Sequence, residues 1–120
     1  MLNSYKELKV WQKSIDLILE IYRLTKLFPK DELYGLTSQM RRAAISIPSN
    51  IAEGYSRKHR QEYTQFIRIA FGSGAELETQ IIISKKLGFV LEKEFKKSEA
   101  LLAEIMKMLN GLIASLSSNH

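Results

Sequence analysis

The chain has 120 residues, of which 45% are hydrophobic and 26% charged, and a net charge of +5. These values are typical of one globular domain, here 1–120, that buries roughly two-thirds of its unfolded surface. The absence of cysteine excludes disulfides and thiol chemistry and fits a cytoplasmic protein. No apolar run approaches the ~20 residues of a membrane span, and the first residues lack a signal-peptide pattern. We therefore expect neither membrane association nor export.

Proline and glycine divide the chain into four helical segments joined by short loops, and no alternating strand pattern is present. The predicted helices span residues 5–27, 32–55, 60–87 and 92–116. Long helices with short connections favour an all-α, antiparallel up-down-up-down four-helix bundle.

The first predicted helix has two apolar stripes on roughly opposite sides when residues are placed at 100° intervals. The stripe assigned to the core consists of Leu8, Trp11, Ile15, Ile18, Leu19 and Tyr22. The second stripe consists of Val10, Leu17, Ile21 and Leu24. A monomeric bundle needs one apolar face per helix, so the second stripe calls for an explanation.

The second predicted helix contains a proline. Its core stripe is Leu36, Met40, Ala43, Ala44, Ile47 and Ile51, while Ile45 and Ala52 point away. An interior proline costs about 3 kcal/mol, through a lost hydrogen bond and a ring clash. Because the stripe keeps its phase past Pro48, we predict one helix kinked there, with Ser46, Ser49 and Asn50 able to satisfy the freed carbonyls. The alternative is a helix that ends at Ile47 and restarts with Pro48 in its first turn.

The third predicted helix combines a core stripe with two interior glycines. The stripe is Tyr63, Ile67, Ala70, Phe71, Gly74, Leu77 and Ile81, and Ile69 and Ile83 lie on another side. Gly72 and Gly74 cost ~1 kcal/mol each relative to alanine, so we expect them to permit close packing, with Ala43 and Ala44 as the facing surface. Glu78 falls near the stripe and is expected to form a buried structural pair with Arg41 or Asn50.

The fourth predicted helix has a single broad stripe, made up of Leu101, Leu102, Ile105, Met108, Leu109, Leu112 and Ile113. Three of the four helices therefore have a second apolar face. Leaving those side chains in water forgoes about 1.5–3 kcal/mol each, and contiguous exposed patches mark interfaces. We predict a homo-oligomer, with cyclic symmetry as the simplest closed arrangement.

Catalytic and metal-binding patterns are missing from the sequence. A di-iron bundle needs paired Glu-x-x-His motifs, but no glutamate precedes His59 or His120 by three residues. Neither G-x-S-x-G nor a phosphate-binding glycine loop occurs. We expect no enzyme activity, no cofactor and no metal.

Positive charge is concentrated in residues 41–60, which contribute a net +4 of the chain's +5. The cations predicted to bind nucleic acid are Arg57, Lys58, His59 and Arg60 at the turn between helices 2 and 3, with Arg42 upstream and Arg68 downstream. Arginine and lysine neutralise phosphates, and Tyr55 or Tyr63, if exposed, could stack on an unpaired base. For Arg41 and Arg42, the competing interpretation is pairing with intersubunit or intrachain carboxylates such as Glu53, Glu76 and Glu78.

Three segments resemble the bacterial four-helix-bundle family named for the 23S rRNA intervening-sequence protein. They are "YKELKVWQKSIDL", "LTSQMRRAAISIPSNIAEGYSR" and "EYTQFIRIAFGSGAELETQI". The family motif falls on Arg41, Arg42, Pro48, Asn50, Glu53 and Gly54, and on Ser73 and residues 76–78. The resemblance implies a ring-shaped homopentamer of up-down-up-down bundles with no catalytic residues. It also implies a relation to the accessory proteins of diversity-generating retroelements, which bind nucleic acid and a reverse transcriptase.

Charge, oligomer and resemblance together favour a non-enzymatic oligomeric bundle that binds RNA or DNA through cations repeated around the assembly. The alternative is a scaffold ring that organises another protein and touches no nucleic acid. Pull-down from nuclease-treated lysate separates the two.

Overall fold

The computed structural model describes residues 2–118, within which four long helices and no strand are present. The helices are α1 (Lys9–Thr25), α2 (Ser38–Tyr55), α3 (Arg60–Leu87) and α4 (Lys96–Ser118). Each helix packs against the next, α1 also packs against α4, and the bundle measures 47 × 20 × 20 Å. The predicted all-α four-helix bundle is confirmed, while its antiparallel order stays a prediction.

Three of the helices begin later than the sequence predicts, and for α1 and α4 the reason is a short 3-10 turn that precedes the helix. Ahead of α1, the turn Tyr5–Glu7 is capped by the hydroxyl of Ser4, which accepts from the backbone amide of Lys6 at 3.1 Å. Leu8 is then extended, with φ −72° and ψ 127°, so the α-helical pattern starts after it. Ahead of α4 lies the turn Glu92–Phe95. By contrast, α3 has the bounds that the sequence predicts.

The segment before α2 is irregular. A single π-helical turn spans Leu33–Thr37, and Gly35 within it has non-helical backbone angles of φ −112° and ψ −117°. The carboxylate of Glu32 accepts from the amide of Leu36 at 3.2 Å and caps this turn. The irregular turn leaves Tyr34 on the surface with 91% of its area exposed, and α2 begins at Ser38 rather than at residue 32.

In α1 the structure exchanges the two predicted stripes. Val10, Leu17, Ile21 and Leu24 form the buried side, whereas Leu19 of the predicted core stripe is 66% exposed. The remaining members of that stripe are half-buried: Leu8, Trp11, Ile15, Ile18 and Tyr22. The core assignment for α1 was therefore wrong, since both stripes are apolar and only the neighbouring helices decide which one faces inward.

Polar residues on the buried side of α1 are satisfied locally. The hydroxyls of Ser14 and Thr25 donate to backbone carbonyls one turn earlier, each at 2.7 Å. A buried hydroxyl that makes such a bond avoids most of its desolvation cost. Because these two residues are polar, the sequence pattern did not identify the side of α1 on which they lie as the buried one.

Pro48 lies buried inside one continuous helix, so the alternative of a restart at Pro48 is excluded, while the bend stays a prediction. A proline frees the carbonyl four residues earlier, here that of Ala44. The Asn50 amide donates instead to the carbonyl and hydroxyl of Ser46, at 2.8 and 2.9 Å. The Ser46 hydroxyl bonds that of Ser73 at 2.8 Å. The Asn50 amide therefore helps to hold the Ser46 hydroxyl against Ser73 of α3, and it does not bond to the carbonyl that the proline frees.

The core stripes of α2, α3 and α4 face inward as predicted, but the two interior glycines of α3 differ. A Cβ on Gly74 would collide with the sulfur of Met106 on α4, so close approach is confirmed there, with α4 rather than α2 as the neighbour. A Cβ on Gly72 would meet nothing within 4 Å. Glu78 is exposed, so the expected buried pair with Arg41 or Asn50 is wrong.

The last helix is more apolar than we expected from the sequence, where no apolar run approached the length of a membrane span. By length and composition, the segment of residues 92–118 contains an 18-residue stretch apolar enough to cross a membrane, with a mean hydropathy of 1.4 over that stretch. Between residues 100 and 117 the charged side chains are those of Glu104 and Lys107. Leu102, Ile105 and Leu109 are buried in the bundle, so packing already accounts for one apolar side of α4.

Candidate nucleic-acid interface

The turn between α2 and α3 depends on a close approach of the two helices. A Cβ on Gly54 would lie 2.7 Å from the Cβ of Phe66 and 3.1 Å from the Tyr63 ring, closer than packed atoms allow. Glycine at this point therefore lets α3 fold back tightly along α2. His59 is extended, with φ −103° and ψ 134°, and caps the start of α3. Lys58, His59 and the first residues of α3 are placed on the surface at this end of the bundle.

Arg57 makes two contacts within the chain at this end. Its guanidinium donates to the carboxylate of Glu53 at 2.7 Å and lies 4.9 Å from the ring centroid of Phe66. An exposed ion pair of this kind contributes at most about 1 kcal/mol. Glu53 therefore orients Arg57 without holding its charge strongly, and a phosphate can compete for the guanidinium.

Two open grooves lie on either side of a ridge formed by Gln61 and Gln65 on α3. The first has a volume of about 440 Å³, and its other lining residues are Arg60, Thr64, Arg68, Leu116 and Ser117. The second has a volume of about 500 Å³, and its other lining residues are Arg57, His59, Glu62 and Phe66. Arg68 thus joins the cations of the turn, as predicted. Guanidinium, amide and hydroxyl donors of this kind bind phosphate oxygens.

The structure separates Arg42 from this cluster. Arg42 precedes Arg57 by 15 residues on α2, about 22 Å along the helix at 1.5 Å per residue. It lies instead with Tyr22, Tyr34 and Ile45 around a pocket between α1 and α2. The sequence placed Arg42 among the nucleic-acid-binding cations because it shares a helix with the turn, but helix length sets the two apart.

The tyrosines next to the turn are engaged within the chain. The Tyr55 hydroxyl donates to the carbonyl of Leu2 at 3.1 Å, and its ring meets that of Tyr63 edge-on, with centroids 5.9 Å apart. Burial raises the pKa of Tyr63 above its ordinary value, and the Tyr55 phenol raises it further. Both rings are half-buried, so the geometry does not favour the expected stacking on a base.

Arg41 is held by α1. Its Nε donates to the hydroxyl of Thr25 at 2.9 Å, and its guanidinium lies 4.4 Å from the ring centroid of Tyr22. The carboxylates suggested for it have other contacts or positions: Glu53 pairs with Arg57, and Glu76 accepts from the Gln80 amide at 3.2 Å. The predicted intrachain carboxylate pairing of Arg41 is therefore wrong within residues 2–118.

No group of three His, Cys, Asp or Glu side chains in the described part of the chain is arranged to hold a metal ion. His59 is exposed at the start of α3. His120 lies outside the described residues.

Four packed helices with cations and two grooves at one end define a small helical bundle that presents a basic end. A family model described as "23S rRNA-intervening sequence protein" matches residues 6–111. The chain belongs to this family, as its motifs indicated. No curated protein matches the sequence.

A solved structure shares the fold. It is the crystal structure of a protein of unknown function from the S23 ribosomal protein family of Bacteroides thetaiotaomicron. The TM-score is 0.80, with 22% sequence identity, over 87% of this chain and 97% of that one. At this identity the likeness supports the bundle architecture alone.

Proposed function

We propose that the protein is a non-enzymatic, homo-oligomeric bundle that binds RNA or DNA at the turn between α2 and α3. One observation carries the proposal: the basic residues of the turn and of the two grooves share one end of the bundle. Arg57, His59, Arg60 and Arg68 line the grooves, and Lys58 lies exposed in the turn beside them. Phosphate neutralisation by such residues releases counterions and supplies affinity that is independent of sequence.

The chemistry of the grooves favours contacts with the phosphate backbone over readout of bases. Their donors are guanidinium, amide and hydroxyl groups, and the nearby Tyr55 and Tyr63 rings are packed against each other. Phosphate contacts position a nucleic acid, whereas contacts with base edges specify its sequence. We therefore expect little sequence preference and a strong dependence on salt.

Self-association would convert a weak site into a useful one. Eleven large hydrophobic side chains in residues 2–118 are exposed, among them Ile45, Ile69 and Ile83, which the sequence placed outside the core. Leaving large apolar side chains in water forgoes about 1.5–3 kcal/mol each, so covering them between copies would stabilise an assembly. Repeating the basic end around a closed assembly gives multivalent binding, which raises affinity by orders of magnitude without new contacts.

Fluorescence anisotropy with labelled single-stranded and duplex oligonucleotides at 50 mM salt tests the proposal. The double variant Arg57→Glu with Lys58→Glu is expected to weaken binding at least about tenfold. The matched control is Lys93→Glu with Lys96→Glu, which makes the same charge change at two exposed lysines near the start of α4. That site lies about 30 Å along α4 from the groove residue Leu116.

No binding of either oligonucleotide by the parent protein would contradict the proposal. Equal weakening by the two double variants would show that net charge, rather than the basic end, governs affinity. The control variant is expected to lose less than about threefold, since its charges lie about two Debye lengths from the grooves at 50 mM salt.

A scaffold ring that binds another protein, such as a reverse transcriptase, is the alternative, because exposed apolar faces favour any protein partner as well as self-association. A pull-down from nuclease-treated lysate distinguishes the two functions. A scaffold keeps its partner after nuclease treatment, whereas a nucleic-acid binder loses what the nucleic acid carried.

A further inference from the structure

The first surface of interest is a pocket between α1 and α2, which we call the Tyr34 pocket. Its volume is about 450 Å³, and it is lined by Tyr22, Leu33, Tyr34, Thr37, Ser38, Arg41, Arg42 and Ile45. Ile45 is 41% exposed and Tyr34 almost fully so. No carboxylate is among the lining residues. The pocket is therefore apolar and positively charged, and it is open to another molecule.

The two arginines of the Tyr34 pocket have no ion pair within residues 2–118. Arg41 is fixed by Thr25 and Tyr22, and Arg42 is exposed beside it. A guanidinium next to apolar side chains binds a carboxylate well, since the fork geometry matches and little water screens the contact. The pocket is suited to a partner that presents an acid within an apolar surface.

The second surface is the outer side of α3, which we call the α3 stripe. It consists of Ile69, Gly72, Glu76 and Ile83. Ile69, Glu76 and Ile83 are spaced by seven residues, which places them on one side of a helix. Ile69 is 49% exposed and Ile83 41%, and the carboxylate of Glu76 is oriented by the Gln80 amide. The stripe is thus an apolar helix face with an acid at its centre.

Gly72 provides an independent reason to expect a partner on the α3 stripe. Glycine lowers the stability of a helix interior, and intrachain packing does not require it here, since an added Cβ would meet nothing within 4 Å. A glycine on an exposed helix face permits close approach of another backbone or side chain. At Gly74, two residues later, Met106 of the same chain fills that space, whereas the space above Gly72 is open to a neighbouring copy.

We propose that the α3 stripe of one copy docks into the Tyr34 pocket of the next copy, with Glu76 paired to Arg42. This inference rests on the proposed oligomer and names the surfaces that build it. The apolar residues of the two surfaces cover each other, and the acid of one meets the unpaired cations of the other. Of the carboxylates suggested from the sequence, Glu76 lies on an apolar stripe, whereas Glu53 is already paired with Arg57.

The two surfaces lie on different sides of α2. Ser73 bonds Ser46 of α2 and Gly74 faces Met106 of α4, so Glu76 projects outward on the α2 side of α3. The Tyr34 pocket lies between α1 and α2. The two surfaces differ, so the contact is head-to-tail. A head-to-tail contact closes into a ring when the rotation between successive copies completes a full turn.

Sedimentation equilibrium of charge-reversal variants tests the pairing. Arg42→Glu and Glu76→Arg are each expected to weaken association at least about tenfold, and the double variant is expected to restore it. Glu78→Arg is the matched control, because it makes the same change at an exposed residue that lies on the other side of α3, and it should leave association within about threefold. Far-UV circular dichroism of each variant checks that the bundle is intact.

Cross-linking shows whether the contact joins different copies. The chain has no cysteine, so a maleimide reacts only with the cysteines that are introduced. Co-expressed Ile45→Cys and Ile69→Cys chains, treated with a bis-maleimide, are expected to give covalent dimers that neither chain gives alone. Ile45→Cys with Lys93→Cys is the control that should not cross-link.

The outcomes separate the two proposals. A parent protein that sediments as a single chain overturns the oligomer and this docking with it. A parent oligomer whose double charge variant stays dissociated, or whose Ile45→Cys and Ile69→Cys chains do not cross-link, overturns the docking and leaves the oligomer in place.

Discussion

The basic end and the Tyr34 pocket both present arginines, yet they place them in different surroundings. Arg57 at the basic end is exposed and pairs with the exposed carboxylate of Glu53. Arg41 in the pocket lies against the ring of Tyr22 among apolar side chains. The basic end acts through charges that salt screens over about 8–10 Å. The pocket needs a partner whose shape excludes water. The arginines near the start of α2 thus lie in surroundings that favour short-range recognition, and those just beyond its end lie in surroundings that favour long-range attraction.

Salt should separate the two regions most strongly. Raising ionic strength from 50 to 200 mM is expected to weaken nucleic-acid binding by about 10²-fold if roughly four phosphates are neutralised. The association of copies should change by less than about tenfold, because apolar contacts dominate it. Anisotropy and sedimentation on the same samples measure both. Equal slopes against log salt would mean that the two regions do not differ in the way described.

The packing beneath the basic end gives the next largest effect. Gly54→Ala is expected to destabilise the protein by about 1–3 kcal/mol, since the new Cβ meets Phe66, Tyr63 and the Tyr63 carbonyl. Gly111→Ala on the exposed side of α4 is the control and should stabilise by about 1 kcal/mol, because a Cβ there meets nothing. Urea unfolding measures both changes. A stability loss of the same size at both glycines would show that the α2–α3 approach is looser than described.

Within the Tyr34 pocket, the planar guanidinium geometry of Arg41 should contribute more to stability than its charge does. Arg41→Lys is expected to cost about 1 kcal/mol, because lysine loses the Nε bond to Thr25 and the planar contact with Tyr22. Arg42→Lys, at the exposed neighbour, should stay within about 0.5 kcal/mol in the dissociated chain. Thermal unfolding at low protein concentration compares the two. Equal losses would show that Arg41 is no better held than Arg42.

The smallest effect is alkaline destabilisation near the turn. Burial, with the Tyr55 phenol adding to it, raises the pKa of Tyr63 above 10.0, so the folded state holds the phenolic proton more tightly than the unfolded chain. The stability from this group is fully present below pH 10 and is lost as pH rises through the raised pKa. Denaturant unfolding at pH 9 and pH 11 should show a smaller alkaline loss in Tyr63→Phe than in the parent. At a protein concentration low enough to dissociate the copies, Tyr34→Phe, at an exposed phenol, should not reduce that loss.

Much of the fold follows from the sequence, and the failures have physical causes. In α2 and α3 most positions outside the core stripe are polar, so the inward side of each helix was predicted correctly. In α1 both sides are apolar, and the choice depends on contacts with α2 and α4 that periodicity does not contain. Glu78 was placed near the core stripe of α3, although the polar residues that the structure buries there are Ser73, Gln80 and Ser84.

The site was predicted less completely than the fold. Charge density located the basic end, including Arg68, because those residues are close in sequence. The grooves beside Gln61 and Gln65 were missed, since they require α4 to pass alongside α3. The Tyr34 pocket depends on the irregular turn at Gly35, and a sequence pattern that reads as continuous helix gives no sign of it.

The bond from Tyr55 to the carbonyl of Leu2 has a practical meaning for anyone handling the protein. Leu2 is held beside the basic turn, and Ser117 lines a groove there, so a polypeptide fused at either of these points emerges next to the grooves. A polyhistidine tag in that position could contact an oligonucleotide itself and make the measured affinity belong partly to the tag. Fluorophores and immobilisation handles belong at Leu91, which is exposed in the loop that leads into α4.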